Sequence, residues 1–84
     1  MSEVRIIYRG VLAETVGKRE DSVDAVDVKD VISHIQKNYG RKTAGMARTM
    51  VIAVNGTNIL KREVYKTKLE EGDEVCFLPI AGGG

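Results

Sequence analysis

Tryptophan is absent from these 84 residues, and cysteine, proline, phenylalanine and histidine each occur once. The lone Cys76 has no partner for an internal disulfide, which fits a reducing compartment and predicts a cytoplasmic domain. One His and one Cys are too few to support a tetrahedral metal site. Charge of one sign is also missing: thirteen basic residues face twelve acidic ones, and this balance argues against nucleic acid or a membrane as partner. No apolar run is long enough to span a bilayer. The opening "MSEVRIIYRG" lacks the apolar core and small-residue cleavage site of a signal peptide. The length predicts one domain with a modest core.

What is present alternates and repeats in recognisable ways. "VRIIYRG", residues 4–10, is β-branched and aromatic and predicts a first strand, with Val4, Ile6 and Tyr8 on one face and Arg5, Ile7 and Arg9 on the other. A short segment over residues 12–16 is stopped by Gly17, and "REDSVDAV" predicts a second, more polar strand. In "DVKDVISHIQKNYG", Val28, Val31, Ile32, Ile35 and Tyr39 form one apolar helical stripe, with Asp27 as N-cap, Asp30 in the first turn and Gly40 just past the end. Residues 40–49 read as a polar, basic loop. "MVIAV" is a third strand, "NG" at Asn55 and Gly56 signals a hairpin, and a short fourth strand falls over residues 58–60. A loop rich in Lys and Glu follows, then a turn at Gly72 and a last strand from Glu74. The ββαββ order with one main helix suits an α+β fold, a mixed sheet curled around that helix. Residues 1–80 form the domain, and residues 81–84 a flexible glycine tail.

Three motifs that suggest chemistry fail on inspection. "GRKTAG" has phosphate-loop glycine spacing, but Met46 and Ala47 stand where Lys and Ser/Thr are required, and it follows a helix instead of a strand. "NGT" is formally a glycosylation sequon in a chain without a secretory signal. His34 and Cys76 lack a third orienting group, and free Cys usually behaves as a small hydrophobe. Nothing here makes a self-contained enzyme: no catalytic side chains and no cofactor of its own are expected.

The chemistry-bearing feature is the end, "VCFLPIAGGG". Glycine loses the most conformational entropy on ordering, so a glycine tail is a poor structural ending. It is a good probe, because it has no Cβ to clash in a narrow active site, and residues 81–84 extended span roughly 13 Å. The group it would deliver is the Gly84 carboxylate, which an ATP-dependent enzyme can convert into a reactive acyl-adenylate. The bland alternative is a frayed end. Against it, the glycines follow directly on an apolar strand, and Pro79 stiffens the exit by fixing φ.

The whole chain resembles the β-grasp sulfur carriers MoaD and ThiS and their relatives, the ubiquitin-related modifiers and small archaeal modifier proteins. The likeness lies in "RIIYRGVLAETVGKRE", the helix "VKDVISHIQKNYG", "VIAVNGTNI", the Leu-x-x-Gly-Asp-x-Val step of "LEEGDEVCFLPI", and above all the Phe-x-Pro-x-x-Gly-Gly ending "FLPIAGG". Length and that ending resemble the MoaD branch. The resemblance implies a ubiquitin-like β-grasp fold and a terminus, Gly82, Gly83 and Gly84, that an activating enzyme adenylates with ATP and Mg²⁺. A sulfurtransferase then makes a thiocarboxylate. In the MoaD branch the large subunit of molybdopterin synthase takes the sulfur; related modifiers are joined to lysines of target proteins. The family ends at Gly-Gly, so the extra Gly84 leaves the active terminus at Gly83 or Gly84.

Strand alternation puts Val75 and Phe77 toward the helix and Cys76 and Leu78 on the other face. An apolar outer face around Ile7, Leu78 and Ile80 would suit docking to such partners. With Phe77, Pro79 and Ala81 these residues make up the expected partner-binding stretch.

Overall fold

The computed structural model describes residues 2–80. The alternating stretch Glu3–Tyr8 is the first strand (β1), with Val4, Ile6 and Tyr8 buried and Arg5 exposed. The chain then turns into a short helix, α1 (Gly10–Val16), pinned by the fully buried Leu12. β2 (Glu20–Asp24) returns antiparallel to β1, at the edge of the sheet.

The main helix, α2 (Val28–Tyr39), buries Val28, Val31, Ile32 and Ile35, the stripe expected from their spacing. Its start is capped reciprocally: Asp30 N–H donates to Asp27 Oδ1 at 2.9 Å, and Val26 N–H donates to Asp30 Oδ2 at 3.0 Å. Gly40 closes the helix, its N–H donating to Gln36 O.

The basic segment expected as a loop is instead a helix, α3 (Arg41–Arg48). Its inward stripe is built from Thr43, Ala44 and Ala47, small residues that allow close packing against α2. Thr43 Oγ1 donates to Tyr39 O at 2.9 Å, tying the two helices at their junction.

β3 (Val51–Val54) and β4 (Thr57–Asn58) are joined by Asn55 and Gly56, both at positive φ (51° and 84°), the geometry a two-residue type I′ hairpin demands. The Lys- and Glu-rich stretch contains one helical turn, α4 (Lys61–Val64), held by buried Val64. β5 (Glu74–Leu78) is the last strand predicted from Glu74, and with five strands the order around the main helix is ββαβββ, not ββαββ.

β5 enters the middle of the sheet, whose order is β2-β1-β5-β3-β4. It lies parallel to β1 and antiparallel to β3, which makes the sheet mixed. The core lies between its inner face and α2 and α3, with Val4, Ile6, Tyr8, Ile52, Val75 and Phe77 contributed by the strands. No helix among the described residues is long and apolar enough to cross a membrane.

Candidate functional site: the exit of β5 and the outer sheet face

Side chains directly opposite one another on neighbouring strands share a face. On β5, Val75 and Phe77 are fully buried on the inner face. Phe77 pairs in register with Tyr8 and Ile52, and its ring stacks on Tyr8 at 6.5 Å between centroids. Phe77 therefore anchors β5 within the core, where its side chain is out of a partner's reach.

The outer face is different. Ile7, Cys76 and Ala53 lie side by side across β1, β5 and β3, and Leu78 lies opposite Val51. Ile7, Cys76, Leu78 and Val51 are half-buried, while Ala53 is buried. Below this strip Arg5 bridges Glu20 at 3.2 Å and Glu74 at 3.3 Å, linking β2, β1 and β5 at the solvent surface, where such pairs stabilise little. Above it the chain leaves β5 through Pro79 and Ile80, both exposed, Ile80 by 57%. Ile7, Leu78 and Ile80 thus lie where the alternation places them. Ala81, Gly82, Gly83 and Gly84 lie outside the described residues.

Pro79 rests against Gly10. Because β1 and β5 run parallel with Tyr8 opposite Phe77, their exits lie together. Gly10 has φ +60°, and a Cβ there would stand 3.1 Å from Pro79 Cγ, inside ordinary van der Waals contact. Nothing in "YRGVL" signals a left-handed residue at this point, and the contact is visible only once the strands are paired.

His34 and Cys76 are not brought together. His34 turns to Asp21, while Cys76 belongs to the outer sheet face. Asp21, which in sequence is one acid in a polar strand, gathers four donors. Its Oδ2 accepts from Tyr39 Oη at 2.6 Å, Tyr8 Oη at 2.8 Å and His34 Nε2 at 3.2 Å, and its Oδ1 from Lys18 Nζ at 3.1 Å. A carboxylate only accepts, so Nε2 of His34 carries the proton. The other ring nitrogen, Nδ1, meets the amide nitrogen of Asn38 at 3.2 Å and accepts from it.

Burial pushes the Asp21 carboxyl up, but the hydrogen bonds from Tyr39, Tyr8, His34 and Lys18 outweigh it and bring it down to about 2 from the ordinary 3.8. Burial, then the bond to Asp21, drives the Tyr8 and Tyr39 hydroxyls the other way, upward. A carboxyl depressed in the folded state stabilises it fully above its unfolded value of 3.8, and that stabilisation fades as pH falls through about 2. The depression corresponds to about 2 kcal/mol. Urea unfolding of the native chain should therefore lose about 2 kcal/mol more between pH 6 and pH 2 than unfolding of Asp21→Asn does. Equal losses would show that this carboxylate does not carry the acid sensitivity.

Among the described residues no group of three or more His, Cys, Asp or Glu side chains is placed to hold a metal. In the Asp21 cluster the four donors converge on the one carboxylate, and every buried side-chain polar atom among the described residues is satisfied. It reads as a structural tie between β1, β2 and α2.

With this geometry in view, the comparisons with known proteins are consistent with one another. No curated protein matches the sequence. Among solved structures, the small archaeal modifier protein 1 of Methanosarcina acetivorans superposes with TM-score 0.79 at 25% identity, covering 100% of this chain and 98% of that one. A subunit in the complex of subunits 1 and 2 of the molybdopterin-converting factor from Helicobacter pylori matches with TM-score 0.69 at 24% identity, over 98% of this chain and 99% of that one. Urm1 of Sulfolobus solfataricus matches with TM-score 0.67 at 20% identity, over 90% of this chain and 99% of its own. These likenesses establish the ubiquitin-like β-grasp fold. The ThiS family model matches residues 6–84, from the middle of β1 through the final glycine, and the chain belongs to the ThiS family.

Proposed function

We propose that this protein is a sulfur carrier whose C-terminal glycine carboxylate is activated by a partner enzyme. The carboxylate attacks the α-phosphate of ATP, held with Mg²⁺ in that enzyme, and pyrophosphate leaves. The outer sulfur of a sulfurtransferase persulfide then attacks the acyl carbon of the adenylate and AMP leaves; a second thiol cleaves the resulting acyl disulfide, forming a disulfide with the sulfurtransferase and leaving the terminus as a thiocarboxylate. Sulfur passes from there to an acceptor such as the molybdopterin precursor, within a synthase whose large subunit docks on the carrier. The "FLPIAGG" ending and the 84-residue length favour this branch.

One observation carries the reading. The strand leading to the glycines, β5, is the central strand of the sheet, with Val75 and Phe77 fully buried, and it exits beside a half-buried apolar strip. A partner gripping Ile7, Leu78 and Ile80 would hold the body at a fixed distance from the reacting carboxyl. Such positioning accounts for much of catalysis when the attacking group is itself a poor nucleophile. The side chains that do the chemistry belong to the partner.

A second reading shares the activation step: a protein modifier joined through its terminal glycine to lysines of other proteins, with loss of AMP to the attacking amine. The archaeal modifier's match over the entire chain favours keeping it. Both are tested by intact-mass measurement of the protein from its native cells, with conjugates retained. Sulfur in place of one terminal oxygen is the expected result, and the same spectrum shows whether Gly84 survives. Species linked through the terminal glycine to lysines would favour the modifier. A free carboxylate alone, with ATP and sulfur donor plentiful, would overturn both.

A further inference from the structure

We propose that Gly10 is a positioning residue for the C-terminal reaction: its bare backbone seats the Pro79 ring and fixes the direction in which the chain leaves the domain. This inference rests on the carrier reading, in the activation step that the modifier reading shares.

Two constraints meet at this point. Pro79 has a ring-fixed φ, so the backbone leaving Leu78 has little rotational freedom. The ring also needs something to rest on, and Gly10 supplies it. A Cβ at Gly10 would stand 3.1 Å from Pro79 Cγ, so the ring occupies space that any other residue's side chain would claim. Gly10 is itself held in place. It opens α1, whose Leu12 is fully buried in the core, and it follows β1, a strand paired on both sides. The support beneath Pro79 is therefore tied at both ends to buried or paired residues.

Gly10 is exposed and contributes nothing to the buried cluster, so its left-handed φ of +60° has no packing role there. Seating Pro79 is what the missing Cβ permits. With the body gripped by a partner, a shift of a few tenths of an ångström in the ring moves the root from which the terminal carboxyl has to reach.

The test is steady-state ATP–pyrophosphate exchange with the full-length chain and the activating enzyme from the same cells. Gly10→Ala should lower kcat about tenfold while KM stays within about twofold, because the docking face is intact and only the carboxyl is misdirected. Gly72→Ala is the control. Gly72 also has positive φ, +86°, but nothing lies within 4 Å of its Cβ position and it precedes β5, at the opposite end from Pro79. It should lose stability as Gly10→Ala does and keep the native kcat and KM. Pro79→Ala removes the ring without touching the left-handed residue, and keeps the test open should Gly10→Ala fail to fold. It too should cost about tenfold in kcat, and the double variant about tenfold, not a hundredfold, because both changes remove one contact. A Gly10→Ala kcat equal to that of Gly72→Ala, or losses that multiply in the double variant, would overturn the inference. If the native chain supports no exchange, the carrier and modifier readings fall first and this inference falls with them. If the native chain is activated and Gly10→Ala matches it, only the inference falls.

Discussion

Removing Gly82, Gly83 and Gly84 should abolish activation by the partner enzyme, a loss of at least about a thousandfold in ATP–pyrophosphate exchange, while leaving stability unchanged. Three residues of extended chain span about 10 Å, so the carboxyl of Ala81 would stop that far short of the α-phosphate. Misplacement by even about 1 Å can cost a hundredfold in an aligned reaction. Stability is spared because the buried cluster among the described residues draws on side chains from Val4 to Phe77, and glycines bring none. Urea midpoints of the native and shortened chains should agree. Deleting Gly84 alone separates two arrangements of the active site. Where the enzyme is built for the longer tail, that deletion already removes most of the exchange; where Gly84 is trimmed before activation, the shortened chain is fully active. Native exchange from the triple deletion would mean that the tail is not the reacting end.

The features of the site that could be read from sequence are those with local causes. α2 shows itself because its buried positions carry large aliphatic side chains at helical spacing, with Asp27 and Asp30 capping the start. The outer face follows from alternation alone: once Phe77 is inward, Cys76 and Leu78 are outward. α3 was hidden because its inward stripe is Thr43, Ala44 and Ala47, residues too small to register as an apolar pattern among Arg and Lys. α2 has to be present before those small side chains have anything to pack on. Asp21 was hidden for a related reason. Its hydrogen-bond partners Tyr8 and His34 are 13 residues away and Tyr39 is 18, on elements that meet only after the sheet and helix have docked. Tyr39 looked like one more apolar stripe residue; its ring does join the core's margin, but its hydroxyl serves the carboxylate. The Gly10–Pro79 contact needs the parallel pairing of the first and last strands, the most non-local feature of the fold.

Phe77→Ala should destabilise the domain by about 3–5 kcal/mol, the range for emptying a large aromatic site in a core. Phe77 is fully buried and central, with Tyr8 stacked against it from β1 and Ile52 opposite it on β3. None of these neighbours can collapse into the space without bending a strand of the sheet. A chain of 84 residues has roughly 4–13 kcal/mol of stability to begin with. The loss should appear as a fall in Tm on the order of 20 °C. Leu78→Ala, one residue on but facing outward and half-buried, should cost about 1 kcal/mol. The functional effects should run the other way. At a temperature low enough to keep Phe77→Ala folded, its activation returns toward the native rate, because the side chain touches no partner. If the activating enzyme docks on the strip beside the exit, as proposed, Leu78→Ala should stay impaired at every temperature. The pair thus separates the anchoring of the sheet through the inner face of β5 from the docking role proposed for its outer one. A Phe77→Ala protein as stable as the native chain would mean that the two faces of β5 have been assigned the wrong way round.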